Sequence, residues 1–231
     1  MTWLVIISRC RILIRVKFNG PKPYLKTLLP IILMVLLAVT RIPGLMPPNF
    51  SAVYALMFCA GVFFPRKLAW WLPFVTVAVT DVLLNSFYYK VPVSMWFGPE
   101  MLAIYGVYAV LVWLGRKFGP KASFMTLLGG GILGALLFYV ITNTISWFFN
   151  PFHNAEYTKT LTGWLIALTK GTKGWPQTWE FFRNTLMSGG LFTGLFAGAM
   201  KLLEALEPSE EEEKEKAEEE APDTEPEEAK A

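Results

Sequence analysis

Residues 68–88, LAWWLPFVTVAVTDVLLNSFY, form a long apolar run that carries a single charged side chain, Asp81. A helix needs about 20 predominantly apolar residues to cross the hydrocarbon of a bilayer, so this run reads as a membrane span. The composition agrees. With 54% hydrophobic and 15% aromatic residues and a positive mean hydropathy, the 231-residue chain is too apolar for an ordinary soluble domain. The expected fold class is all-α, a polytopic membrane protein.

Working outward from this run, five further segments approach the same length: residues 25–42, 51–64, 99–114, 123–149 and 181–203. About six transmembrane helices follow. Segment 51–64 is short and reads as an element shielded by its neighbours rather than one exposed to lipid. The breaks PGLMPPN, PRK, KVPVSMWFGPE and GRKFGPK contain the proline and glycine that end helices.

The formal net charge of +3 conceals an asymmetry. Residues 204–231 hold 14 of the 18 acids against three lysines, and a segment with so little apolar surface cannot offset its ordering entropy. Three regions are therefore expected: a basic membrane-surface segment over 1–24, a six-helix transmembrane domain over 25–203, and a disordered acidic tail over 204–231. The opening MTWLVIISRCRILIRVKF carries its cations after its apolar part, the reverse of a secretory signal peptide. Six crossings put both termini on one side. That side collects twelve basic residues outside the tail, and the other collects six: Arg41, Lys90, Lys159, Lys170, Lys173 and Arg183. The positive-inside rule then makes the termini cytoplasmic and the location the cell (inner) membrane.

Asp81 lies thirteen residues from Leu68, about 20 Å along a helix, and so in the outer half of its span. Asn85 and Tyr88 follow at i+4 and i+7 on one stripe. The fifth span is polar late in its course, at Asn143 and Trp147, and the sixth early, at Arg183 and Asn184. Polarity thus gathers at one end of the bundle. An ionised Asp facing lipid costs roughly 2.5 to 3.5 kcal/mol, so Asp81 should face the interior, water or a cation. Two readings follow: Asp81 pairs with Arg41 or Arg183 and fastens helices together, or Asp81, Asn85, Asn143, Arg183 and Asn184, with Arg41, Asn49 and Trp147, line an outward-facing polar pocket for a small solute.

Little else carries chemistry. Cys10 and Cys59 are isolated, His153 is the sole histidine, and neither a metal site nor a cofactor is expected. One histidine and one intramembrane acid give no nucleophile–base constellation, so an enzyme is unexpected, and without a GxxxxGKS loop the chain does not itself hydrolyse ATP by that route; no nucleic-acid partner is expected either. Glycines at four-residue intervals, Gly130 and Gly134, then Gly190, Gly194 and Gly198, predict close helix packing. The long outer loop carries Leu161, Trp164, Leu165 and Leu168 at helical spacing, the pattern of an interfacial helix that also suits a lid.

PPNFSAVYAL after the first span, Thr80-Asp81, TNTISW from Thr142, YTKTLTGW from Tyr157 and FFRNTL from Phe181 together resemble an uncharacterised bacterial family of predicted transport proteins with about six spans. That family is distantly similar to the substrate-binding S components of energy-coupling factor transporters. The resemblance implies a membrane transport protein that binds a small solute near the outer surface, with a separate energising module as a further partner. The chain departs from the S-component pattern in the first span, where LLPIILMVLLAVTR lacks the small-residue docking motif. A membrane scaffold or assembly protein with no solute of its own is the alternative.

Overall fold

The computed structural model describes residues 23–93, 96 and 98–205, with side chains from Leu28 onward. The expected basic N-terminal segment and acidic tail lie outside these residues except for their inner edges, 23–24 and 204–205, which are helical. Among the described residues there are seven α-helices and no strands: α1 (Pro23–Thr40), α2 (Val53–Phe63), α3 (Arg66–Leu83), α4 (Pro99–Gly115), α5 (Phe124–Phe149), α6 (Leu161–Thr169) and α7 (Thr178–Ala205). A wider π-helical turn, Leu84–Tyr88, extends α3. Three helices are long and apolar enough to cross a membrane: α3 with its extension (Arg66–Tyr88), α5 and α7. The apolar parts of α1, α2 and α4 are shorter, Leu28–Thr40, Val53–Phe63 and Pro99–Gly115.

Sequence explains why α2 sits in the middle. VYALMFCAGVF is apolar on every side, and a helix without a polar face is stable only when surrounded. Ten of its eleven residues are buried, with α3, α4, α5 and α7 packed around it. Its eleven residues rise about 16 Å, roughly half the hydrocarbon thickness, so shielding by neighbours is what lets so short an element lie within the bundle. Its last carbonyls need a partner, and the Arg116 guanidinium donates to Phe64 O at 3.1 Å.

α7 shows the opposite pattern. It buries one stripe, Thr185, Ser188, Gly189, Phe192, Thr193 and Phe196, and leaves Met187, Leu191 and Leu195 exposed on the other face. Close approach depends on glycine, but within the row read at four-residue intervals only Gly130 is tight, a Cβ there lying 2.5 Å from the Phe58 ring. A Cβ on Gly61 would lie 2.2 Å from Val112 O, and one on Gly115 would lie 2.1 Å from Phe58 O, so α2 and α4 touch through their backbones. Between α5 and α7 the tight positions are Gly131, against Thr193, and Gly189, against Ala135. Gly134, Gly190, Gly194 and Gly198 have only ordinary contacts at 3.5 Å or more, while Gly130 faces the Phe58 and Phe118 rings. The reason is geometric. Residues four apart on a helix advance 400°, so a row at that interval drifts about 40° per step off any one contact line.

Side-chain caps start two of the helices. Ser123 Oγ accepts from Thr126 N at 3.1 Å at the start of α5, and Thr160 Oγ1 accepts from Gly163 N at 3.2 Å at the start of α6. The helix α6 is where the sequence places it, and it packs through its small residues. Gly163 and Ala167 are buried, whereas Leu161 and Leu165 of the expected apolar face are exposed. Small residues win the inner face because Gly163 leaves no room: a Cβ there would lie 2.1 Å from Thr158 O.

Candidate functional site

The site begins with the way α3 ends. Thr80 donates its hydroxyl to Thr76 O and Val77 O, both at 2.9 Å, so its polarity is spent on its own helix. One residue further, Asp81 turns inward. The ladder then widens: Tyr89 N donates to Leu84 O, five residues back, at 2.8 Å. The added residue brings Leu84 and Tyr89 onto the same wall as the Asp81, Asn85 and Tyr88 stripe.

Asp81 is held on both oxygens. Oδ1 pairs with Nη2 of Arg41, just past the end of α1, and Oδ2 accepts the Tyr105 hydroxyl of α4 at 2.7 Å. The two charged side chains are only 15% and 16% exposed. Arg41 Nε is buried and has no hydrogen-bond partner among the described residues. Removing one member of such a pair leaves the other charge poorly solvated, which is where most of the cost of breaking it arises.

Beside this pair opens a cavity of about 660 Å³, within the range that holds small ligands. One wall is the α1–α2 connection. Asn49 takes a left-handed backbone there, with φ 60°, which asparagine tolerates better than most residues. The connection is braced from three sides: Tyr54 donates its hydroxyl to Asn49 O at 3.1 Å, Ala52 N donates to Thr40 Oγ1 at 3.2 Å, and Asn184 of α7 donates its side-chain N–H to Pro48 O at 2.9 Å. Aromatic rings make the rest: Tyr88 and Tyr89 on one side, Tyr108 stacked on Phe138 at 5.6 Å, and Trp175 from the long loop. Among the described residues, Arg41 and Asp81 are the only charged side chains in this wall.

A family model described as a family of unknown function (DUF6580) matches residues 22–210. The chain belongs to this family. The matched span takes in every residue of the cavity wall and stops short of most of the acidic tail. No curated protein and no solved structure matches the chain.

Within this family member, four of the eight residues read from sequence as pocket-lining come together: Arg41, Asn49, Asp81 and Asn85. The other four do not join them. Asn143 donates to Tyr139 O on its own helix at 2.8 Å and borders a second cavity of about 480 Å³, with Tyr157 and Thr178. Trp147 donates its indole N–H to Thr158 O at 2.7 Å, and the Lys159 ammonium lies over its ring at 5.1 Å, so it anchors the loop. Arg183 is exposed, its guanidinium 5.8 Å from the Trp179 ring, and is not the partner of Asp81. Asn184 supports the wall from behind through Pro48. These four share depth with Asp81 but not direction around their helices, and each residue turns the side chain by 100°.

Sequence reasoning missed Tyr105 and the aromatic wall. The available signal was the tyrosine pair Tyr105 and Tyr108 at i+3 in an otherwise apolar helix, since a buried tyrosine hydroxyl usually finds a partner. The two cavities share Trp175. In the second, burial raises the Tyr157 phenol above its usual value, and the neighbouring Glu156 carboxylate adds to the shift. Cys59 is buried inside α2 and His153 is exposed on the long loop, at φ 52°.

Proposed function

We propose that this protein is a membrane transport protein, or the substrate-binding subunit of one, that takes a small solute into the cavity beside Asp81. The observation that carries this reading is the wall itself. A cavity of about 660 Å³ with one cation, one anion and several tyrosines in its wall is more than a helix fastener requires. The topology we infer is six crossings, α1 to α5 and α7, with α2 crossing inside the shield of its neighbours. Twelve basic residues against six then orient the Asp81 end outward and both termini to the cytoplasm. The resemblance to S components suggests an energising module as partner.

A second reading is favoured by one specific feature: both oxygens of Asp81 are already engaged, to α1 and to α4, as a scaffold protein's fastener would be. Native mass spectrometry from nanodiscs separates the two. The transport reading expects a stoichiometric small molecule on the purified protein that disappears when Leu84→Trp fills the cavity. No bound molecule, and no thermal stabilisation by cell-extract fractions, would leave the scaffold reading standing.

A further inference from the structure

Asp81 and Asn85 border more than one cavity. A smaller hollow of about 240 Å³ lies between α3 and α4, walled by Val82, Trp96, Met101, Leu102 and Tyr105, with Asp81 and Asn85 completing it. Most of this wall is hydrocarbon. The Trp96 indole N–H is already bonded to Val91 O at 2.9 Å, and the Tyr105 hydroxyl to Asp81. Val82 is 45% exposed and Leu102 62%, so the hollow opens on the flank of the bundle, the lipid face of a spanning α3.

The Asp81 carboxylate stands between the two spaces. Oδ1 holds Arg41, which lines the large cavity and not the hollow, and Oδ2 holds Tyr105, which lines the hollow and not the large cavity. One space is polar and aromatic, and the other is apolar and open sideways. A solute that uses both has a polar head and an apolar arm. The charges narrow the head group: with one guanidinium and one carboxylate in the wall, a net-neutral zwitterion leaves no charge unbalanced. Its anionic group suits the Arg41 guanidinium, and its ammonium suits the Asp81 carboxylate, with Tyr88, Tyr89 and Tyr108 in the same wall. A hollow too small for a ligand of its own, next to a cavity of ligand size, fits an appendage of that ligand.

Resting on the solute-binding reading above, we propose that the solute is a single-chain zwitterionic amphiphile drawn from the bilayer, its head in the large cavity and its chain leaving sideways between α3 and α4. The Asp81–Tyr105 hydrogen bond is the latch between the two spaces. The entry route is then lateral, from the leaflet, and the solute never has to shed its apolar arm into water.

Photolabelling in nanodiscs tests this with two lysophosphatidylcholine probes, one carrying a diazirine at the chain end and one on the head group. The chain probe is expected to label Val82 and Leu102 about fivefold more than Leu191 and Leu195, lipid-facing residues of α7 with similar exposure. Leu102→Trp, which fills the hollow from an exposed position, is expected to remove that excess while α7 labelling is unchanged. Labelling of the hollow no stronger than that of α7 means annular lipid only, and overturns the proposal. A lysolipid with a net-negative head that labels the hollow equally well overturns the zwitterion assignment. The head probe keeps the two levels apart: labelling at Tyr88 and Tyr108 without chain labelling of the hollow ends the lateral route but leaves a solute site, whereas no head labelling above background overturns the amphiphile, and only the absence of any co-purified molecule in native mass spectrometry removes the solute site as well.

Discussion

The two halves of the bundle are built from the same helices in opposite ways. Toward Arg116, α4 meets α2 backbone to backbone at Gly115 and Gly61, and α7 sets the Thr193 side chain against Gly131 of α5, so the space between helices closes. Toward Asp81, the same α4 carries Tyr108 and the same α5 carries Phe138, stacked in the cavity wall beside the Arg41–Asp81 pair, so rings and an ion pair stand where glycines stand at the other end. Each helix is thin at one end and thick at the other. Tight packing at the thin end supplies the stability that an open, partly polar end cannot, which is the arrangement a binding site requires of its scaffold.

Breaking the thin end should cost most. Gly115→Leu drives a side chain into Phe58 O, a backbone atom that cannot step aside, so a loss of about 3 kcal/mol or more is expected and little monodisperse protein should survive detergent extraction. Normal yield and melting temperature would show that α2 and α4 separate at little cost. At the thick end, Asp81→Asn leaves Arg41 without its counter-charge, and a loss of roughly 2 kcal/mol is expected for a pair this buried. Tyr105→Phe removes one hydrogen bond to the same carboxylate and should cost about 1 kcal/mol, read as a smaller drop in melting temperature. Gly190→Ala sharpens the contrast from the other side. Its Cβ would meet Ile132 at 3.6 Å, an ordinary contact, so helix propensity leaves stability unchanged or raised by up to about 1 kcal/mol. A loss there comparable to that at Gly115 would mean that every glycine in the rows packs alike.

Much of this was legible in the sequence, and the boundary of legibility has a physical cause. Apolar periodicity located the helices to within a few residues, because burial in a bilayer or a bundle imposes long uninterrupted runs. The stripe Asp81, Asn85, Tyr88 was readable because its members share one helix, where spacing fixes direction. Arg41 as the partner was one of two candidates at the right depth. What spacing within one helix does not fix is how neighbouring helices are rotated about their axes. Asn143, Trp147 and Arg183 were grouped with Asp81 by depth alone, and each turned elsewhere: to its own helix, to the long loop, to solvent. Gly61 and Gly115 escaped notice for a related reason. Gly61 is the one glycine of α2 and Gly115 shares α4 only with Gly106, nine residues away, so neither belongs to a row, and their close approach is a property of the pair across helices.

The central claim is that the Arg41–Asp81 pair serves a solute site and is not merely a fastener. The most direct measurement follows melting temperature and binding of the co-purified solute together, in nanodiscs, for Asp81→Asn and for Arg41→Gln with Asp81→Asn. Neutralising both partners removes the stranded charge, so the double variant should regain most of the stability that the single variant loses. The account predicts that binding stays lost in the double variant, because the wall then offers the solute neither charge. Recovery of stability with full recovery of binding would contradict it.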